Sequence, residues 1–196
     1  MPLALRSPAR RATSRGFTLT ELLIVIAIGS VVAATAVVTM PGALRASKAD
    51  AEMQRLAAGL RHARDLAVTG RRNILLQFPS ANEVRLARQD VGAGGVVTGT
   101  TDLETLALEN RFVFHRFPET GDTPDGFGAA SERDFGSALS VMFTSEGMLV
   151  DQTGDPANGT LFIAAGGDIP TARAVTVLGT TGLVSAYRWN GSQWLK

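Results

Sequence analysis

Arg15-Gly16-Phe17-Thr18-Leu19-Thr20-Glu21-Leu22-Leu23 opens a run that continues IVIAIGSVVAATAVV through Val38 without a further charge. Only Gly29, Ser30 and Thr35 relieve the apolar character of residues 22–38. Residues 17–40, about 24 in number, make roughly 36 Å of helix at ~1.5 Å per residue, enough to cross a ~30 Å hydrocarbon layer. Arg6, Arg10, Arg11 and Arg15 precede the run and no acid accompanies them. That asymmetry predicts a single spanning helix with its N-terminus in the cytoplasm and the remainder across the membrane.

A secretory signal has a shorter apolar core with a small-residue cleavage site after it. Here the run is followed by Thr39-Met40-Pro41-Gly42-Ala43, a poor site of that kind. The punctuation comes before the run instead: a basic residue, a glycine, a phenylalanine, then one glutamate at the helix edge. A carboxylate at the bilayer centre costs about 2.5–3.5 kcal/mol on insertion scales, so Glu21 calls for a partner. A plain signal anchor with a chance Gly-Phe pair leaves that glutamate unexplained.

The string GFTLTELLIVIAI at residues 16–28 resembles the type IV prepilin and pseudopilin signal. The resemblance implies that prepilin peptidase cuts between Gly16 and Phe17 and methylates the amine of Phe17. It also implies that Glu21, then the fifth mature residue, meets the N-terminal amine of a neighbouring subunit during filament assembly. Two opposite charges meeting in low dielectric offset each other where one alone is costly.

Beyond the run, Pro41 and Gly42 predict a bend or local melt of the helix. Helical periodicity then resumes: Met53, Leu56, Leu60, Ala63 and Ala67 form one apolar stripe, suited to packing on a sheet. Gly70 reads as the C-cap, with Arg64, Arg71 and Arg72 placed near the negative helix end. From residue 73 the period becomes strand-like. Residues 74–78, 84–88, 103–108, 111–114, 139–143, 148–150, 160–164, 174–178 and 183–189 are short runs punctuated by Gly, Pro, Asn or Asp, which predicts an antiparallel sandwich-like domain. Residues 89–102 and 116–137 are rich in glycine and read as mobile surface loops.

Three further blocks resemble the GspH/FimT group of minor pseudopilins: Ala63-Arg64 with Ala67 at the end of the helix, Phe143 with Gly147 in a hairpin, and Thr181-Gly182 in a closing strand pair. Together they extend the resemblance over most of the chain. Generic hairpins also fit the last two blocks.

The chain of 196 residues has no cysteine, which leaves no disulfide framework, thiolate metal site or cysteine nucleophile. Formal net charge is +1, and without the four leader arginines it falls to about −3. His62 and His115 belong to no metal-spaced cluster, and GAGG at 92–95 lacks the lysine and following helix of a phosphate loop. Asp151-Gln152-Thr153-Gly154-Asp155 with Asn158 places oxygens as calcium loops loosely do, but without a closing glutamate, so residues 151–158 read first as a polar hairpin. Some FimT-like proteins bind DNA through a basic Gly-Arg-x-Arg string near the C-terminus. The matching place here reads Gly182-Leu183-Val184-Ser185, with only Arg188 and Lys196 nearby, too few cations for a phosphate surface. Tyr187, Trp189 and Trp194 offer stacking faces but suit core or edge packing.

The expected class is α+β and pilin-like: a leader at 1–16, a transmembrane helix at 17–40, its amphipathic continuation at 41–72, and a periplasmic β-rich domain at 73–196. The resemblance implies a non-enzymatic minor pseudopilin of the type II secretion pseudopilus, anchored in the inner membrane, with no cofactor. Its implied partners are other pseudopilins or pilins, prepilin peptidase and inner-membrane lipid, and no nucleic acid is expected. The alternative is a minor, FimT-like type IV pilin serving pilus assembly or DNA uptake.

Overall fold

A computed structural model describes residues 17–138 and 140–196, with the side chains of residues 34–40 excepted. The expected leader, with Gly16, lies outside the described residues, as does Leu139 of the expected strand 139–143. The described chain divides into two compact units, one ending at Gly42 and one formed by Ala43–Lys196. The class is α+β.

Helical backbone runs without interruption from Leu19 to Gly70 (α1), with Pro41 inside it. Of the bend or local melt expected at residues 41 and 42, the melt is therefore absent. A proline deletes one backbone donor and crowds one preceding carbonyl, and the flanking turns retain their own bonds. In the first unit every described side chain from Phe17 to Ala33 is exposed, including Leu22, Leu23, Ile24, Val25 and Ile26. The apolar character thus wraps the whole helix circumference. Within α1, residues 19–33, the part of this run whose side chains are described, make about 22 Å of helix. Among the described residues no helix is long and apolar enough to cross a membrane.

In the second unit the stripe is buried as its spacing predicts: Met53 and Leu56 are nearly covered, and Leu60, Ala63 and Ala67 are fully so. The left-handed residue that ends α1 is Arg71 (φ 48°), one position beyond the expected cap at Gly70. The Arg71 N–H reaches the Val68 carbonyl and the Arg72 N–H that of Ala67, which satisfies two of the orphan carbonyls at the helix end.

Among the described residues eleven strands follow: β1 (Ile74–Ser80), β2 (Glu83–Val91), β3 (Val97–Ala107), β4 (Phe112–Phe114), β5 (Arg133–Asp134), β6 (Val141–Phe143), β7 (Leu149–Asp151), β8 (Gly159–Ala165), β9 (Arg173–Leu178), β10 (Leu183–Trp189) and β11 (Trp194–Leu195). One antiparallel sheet has the order β3-β2-β1-β6-β7, the other β11-β10-β9-β8-β4, with β5 pairing β8 beside β4. The α1 stripe shares one core with Ile74, Leu86 and Phe143 of the first sheet and Phe112, Ile163, Val175 and Val184 of the second.

Of the two segments expected as surface loops, the first is corrected and the second is a loop with fixed contacts. Residues 89–102 belong mostly to β2 and β3, which form a long hairpin closed by a tight turn at Ala93–Gly95. Asp90 holds the arm together, accepting from the Thr101 hydroxyl at 2.6 Å while its backbone carbonyl accepts from Thr98. Residues 116–137 are strapped over the outer face of the second sheet, where Phe117 packs with Phe162, Ala174, Tyr187 and Trp194. Trp194 Nε1 donates to the Thr120 carbonyl (2.9 Å), and Asp125 accepts from the hydroxyls of Tyr187 (2.8 Å) and Thr176 (2.5 Å). Both faces of the second sheet are consequently covered.

Candidate functional site

Residues 17–21 start α1 by a reciprocal cap. The Thr18 hydroxyl accepts from the Glu21 N–H (3.2 Å), while the Glu21 carboxylate accepts from the Thr18 N–H (3.1 Å) and from its hydroxyl (3.2 Å). This is a capping box, Thr-x-x-Glu, in which two orphan donors of the first turn are satisfied at once. The signal stood in the sequence as Thr18-Leu19-Thr20-Glu21 and gives Glu21 a local role that charge reasoning alone overlooked. Both cap bonds use Oε2, so among the described residues Oε1 is open to another donor. Phe17, just before the cap, is 84% exposed.

The second constellation lies in the Ala43–Lys196 unit, where the three sequence blocks meet. Ala63 and Ala67 present small surfaces to the core, one turn apart, and Arg64 between them points out toward two turns. Its Nε donates to the carbonyls of Gly147 (3.0 Å) and Thr181 (3.2 Å). Gly147 and Gly182 both hold positive φ, at 83° and 64°. A Cβ on Gly182 would sit 2.1 Å from the Gly147 carbonyl oxygen and 2.8 Å from Arg64. Only glycine lets the two turns and the guanidinium close on one another. Arg61 adds a bond to the Val184 carbonyl (3.2 Å). The blocks are therefore one clasp that ties the end of α1 to the β6–β7 and β9–β10 turns.

The remaining sequence candidates are put to structural use. His62 stands 3.7 Å from Glu104 on the surface, and the His115 ring meets Phe117 edge-on. Asp151 accepts from the Thr153 N–H and hydroxyl and from the Asp155 N–H, and the Thr153 hydroxyl bond above all holds its carboxyl below the usual range. Asn158 accepts from the Gly179 N–H. The oxygens of residues 151–158 thus shape a turn. Among the described residues no three His, Cys, Asp or Glu side chains group as a metal site. Burial, assisted by Asp125, pushes the Tyr187 phenol up to about 12.

Residues 11–37 match the prokaryotic N-terminal methylation motif. The methylation motif takes in Gly16, Phe17 and Glu21, and so includes the capping box. No curated protein matches the chain. Among solved structures, the chain is similar to the type IV minor pilin FimU of Pseudomonas aeruginosa in two crystal forms. One gives 20% identity and a TM-score of 0.44, covering 70% of this chain and 90% of FimU. The other gives 17% and 0.48, covering 76% and 94%. It is also similar to the minor pseudopilin EpsH from the type 2 secretion system of Vibrio cholerae, at 13% identity and a TM-score of 0.47, covering 72% and 97%.

Proposed function

We propose that this chain is a non-enzymatic, pilin-like filament subunit: cut between Gly16 and Phe17, methylated at Phe17, held in the inner membrane by residues 17–40, and assembled with other pseudopilins or pilins. The methylation motif at residues 11–37 carries the reading. The capping box supports it, because Thr18 and Glu21 organise the first helical turn and leave one carboxylate oxygen for a donor from outside, such as the amine of a neighbouring subunit. The apolar circumference of α1 before Pro41 supports the anchor, since a helix hydrophobic all round belongs in a protein core or in lipid.

Between filament systems, we favour a minor pseudopilin of a type II secretion pseudopilus. At the place where a DNA-binding tail carries arginines, Leu183 is exposed, and the two nearest helix arginines, Arg61 and Arg64, are committed to backbone carbonyls. A phosphate surface needs free cations.

Mass spectrometry of the mature N-terminus in a host with prepilin peptidase is the direct test. The expected chain begins at N-methylated Phe17. A chain beginning at Met1, or cut near Ala43, refutes the reading.

A further inference from the structure

At the start of the Ala43–Lys196 unit, Arg45 and Lys48 of α1 face Asn110, Arg111 and Phe112 across a cleft of about 330 Å³. Its cations outnumber its free acids. Asp168 pairs with Arg45 at 3.4 Å, Asp50 is committed to the buried Arg173 at 2.7 Å, and Glu52 is buried under the turn at 109–112. Among the described residues the side chains of Lys48 and Arg111 have no ion pair or hydrogen bond.

The turn that delivers Arg111 is built at a conformational cost. Asn110 (φ 54°) and Arg111 (φ 66°) are both left-handed, and the Phe112 N–H closes the turn on the Glu109 carbonyl at 2.9 Å. Turns with two positive φ values favour Asn followed by Gly, and Asn110 fits while Arg111 does not. The Glu52 carboxylate holds the turn, accepting from the Glu109 N–H and from Asn110 Nδ2, each at 3.2 Å. Strained residues that the surroundings over-determine gather at ligand sites. Along the chain, Arg45 and Lys48 are the first charges after Glu21, with residues 22–44 uncharged.

We propose that this cleft binds the phosphate of an anionic phospholipid headgroup, with Lys48 and Arg111 as its free cations and Arg45 shared with Asp168. The proposal rests on the membrane-anchor reading above. Arg111 supplies a planar fork suited to two phosphate oxygens and Lys48 a compact point charge. Anionic headgroups attract cations held within a Debye length, roughly 10 Å, of either bilayer surface.

The test uses the processed full chain in neutral detergent micelles, titrated with phosphatidylglycerol, phosphatidylcholine or inorganic phosphate and read by native mass spectrometry. Wild type is expected to retain phosphatidylglycerol at least tenfold better than the Lys48→Ala/Arg111→Gly variant, with phosphatidylcholine held equally poorly by both. The single Arg111→Gly variant is expected to melt at a higher temperature than wild type, since glycine relaxes the turn, while still losing lipid. Equal retention of phosphatidylglycerol by wild type and double variant overturns the proposal. So does phosphatidylcholine retained as well as phosphatidylglycerol, or displacement of the lipid by millimolar inorganic phosphate. Any of these with an intact methylated Phe17 leaves the filament reading standing, because processing is measured separately on the same sample.

Discussion

Replacing Arg64 by alanine tests whether the clasp is an energetic link or only a contact. Two backbone carbonyls lose a charged donor. The bond to Gly147 is half-buried, and a hydrogen bond to a charged group contributes about 1.5–3 kcal/mol. The bond to Thr181 is exposed, water replaces it, and it adds roughly 0.5 kcal/mol at most. A loss of about 1.5–3.5 kcal/mol follows. For a domain of this size each 1 kcal/mol moves the melting temperature by about 2–4 °C, so the shift is roughly 3–14 °C. The isolated Ala43–Lys196 unit suits the measurement, because both of its core clusters close within it. Urea unfolding followed by the fluorescence of Trp189 and Trp194 gives the value. Arg64→Lys keeps the charge but not the planar Nε–H directed between two carbonyls, and recovers about half of the loss. A loss below about 0.5 kcal/mol for Arg64→Ala refutes the argument.

Glu21→Gln retains the capping box, because glutamine serves at that position as glutamate does, but removes the charge. Both Glu21→Gln and Glu21→Ala are expected to be processed yet fail to enter filaments in a cross-linking assay, and normal entry of the glutamine variant sinks the charge role. Leu60→Ala, at a fully buried site of the α1 stripe, is expected to cost about 3 kcal/mol in urea unfolding of the head. Tyr187 is the chain's single tyrosine, so tyrosinate absorbance reports it alone. Its folded pKa of about 12 lies above the ordinary 10, so the unfolded chain releases that proton first and stability falls as pH rises from about 10 to about 12. Tyr187→Phe is expected to flatten that part of the alkaline stability profile, and an unchanged slope contradicts the assignment.

What the sequence made legible was periodic. The stripe from Met53 to Ala67 declares itself through spacings of three or four because it has one face in the core, and nine of the strands through short runs between Gly, Pro, Asn or Asp. What it hid was held by distant partners. Nothing near residues 116–137 announces that Trp194 and Tyr187 will tether them, so a glycine-rich segment read as mobile. The distal β2–β3 arm has few buried residues to set an alternation, and its order comes from the β-ladder and from the Asp90 bonds. The Thr-x-x-Glu spacing at residues 18–21 made the cap legible as well, beside the charge of Glu21 at the edge of the apolar run. The clasp shows the reverse relation: three blocks visible as separate words in the sequence became one site only when Arg64 was seen to reach Gly147 and Thr181.

That reach sets an order of events. The Arg64 bond to Thr181 spans 117 positions of chain, and Val184, which completes the core against the stripe, comes later still. A ribosome or a translocon delivers α1 long before β10. Until β9 and β10 emerge, Leu56, Leu60 and their neighbours have the first sheet but not the whole of the second to bury against, and part of the apolar stripe stays uncovered. Its closure is therefore a late, whole-chain step, and a chain truncated shortly before residue 180 is a substrate for chaperones and proteases instead of a smaller version of the same domain.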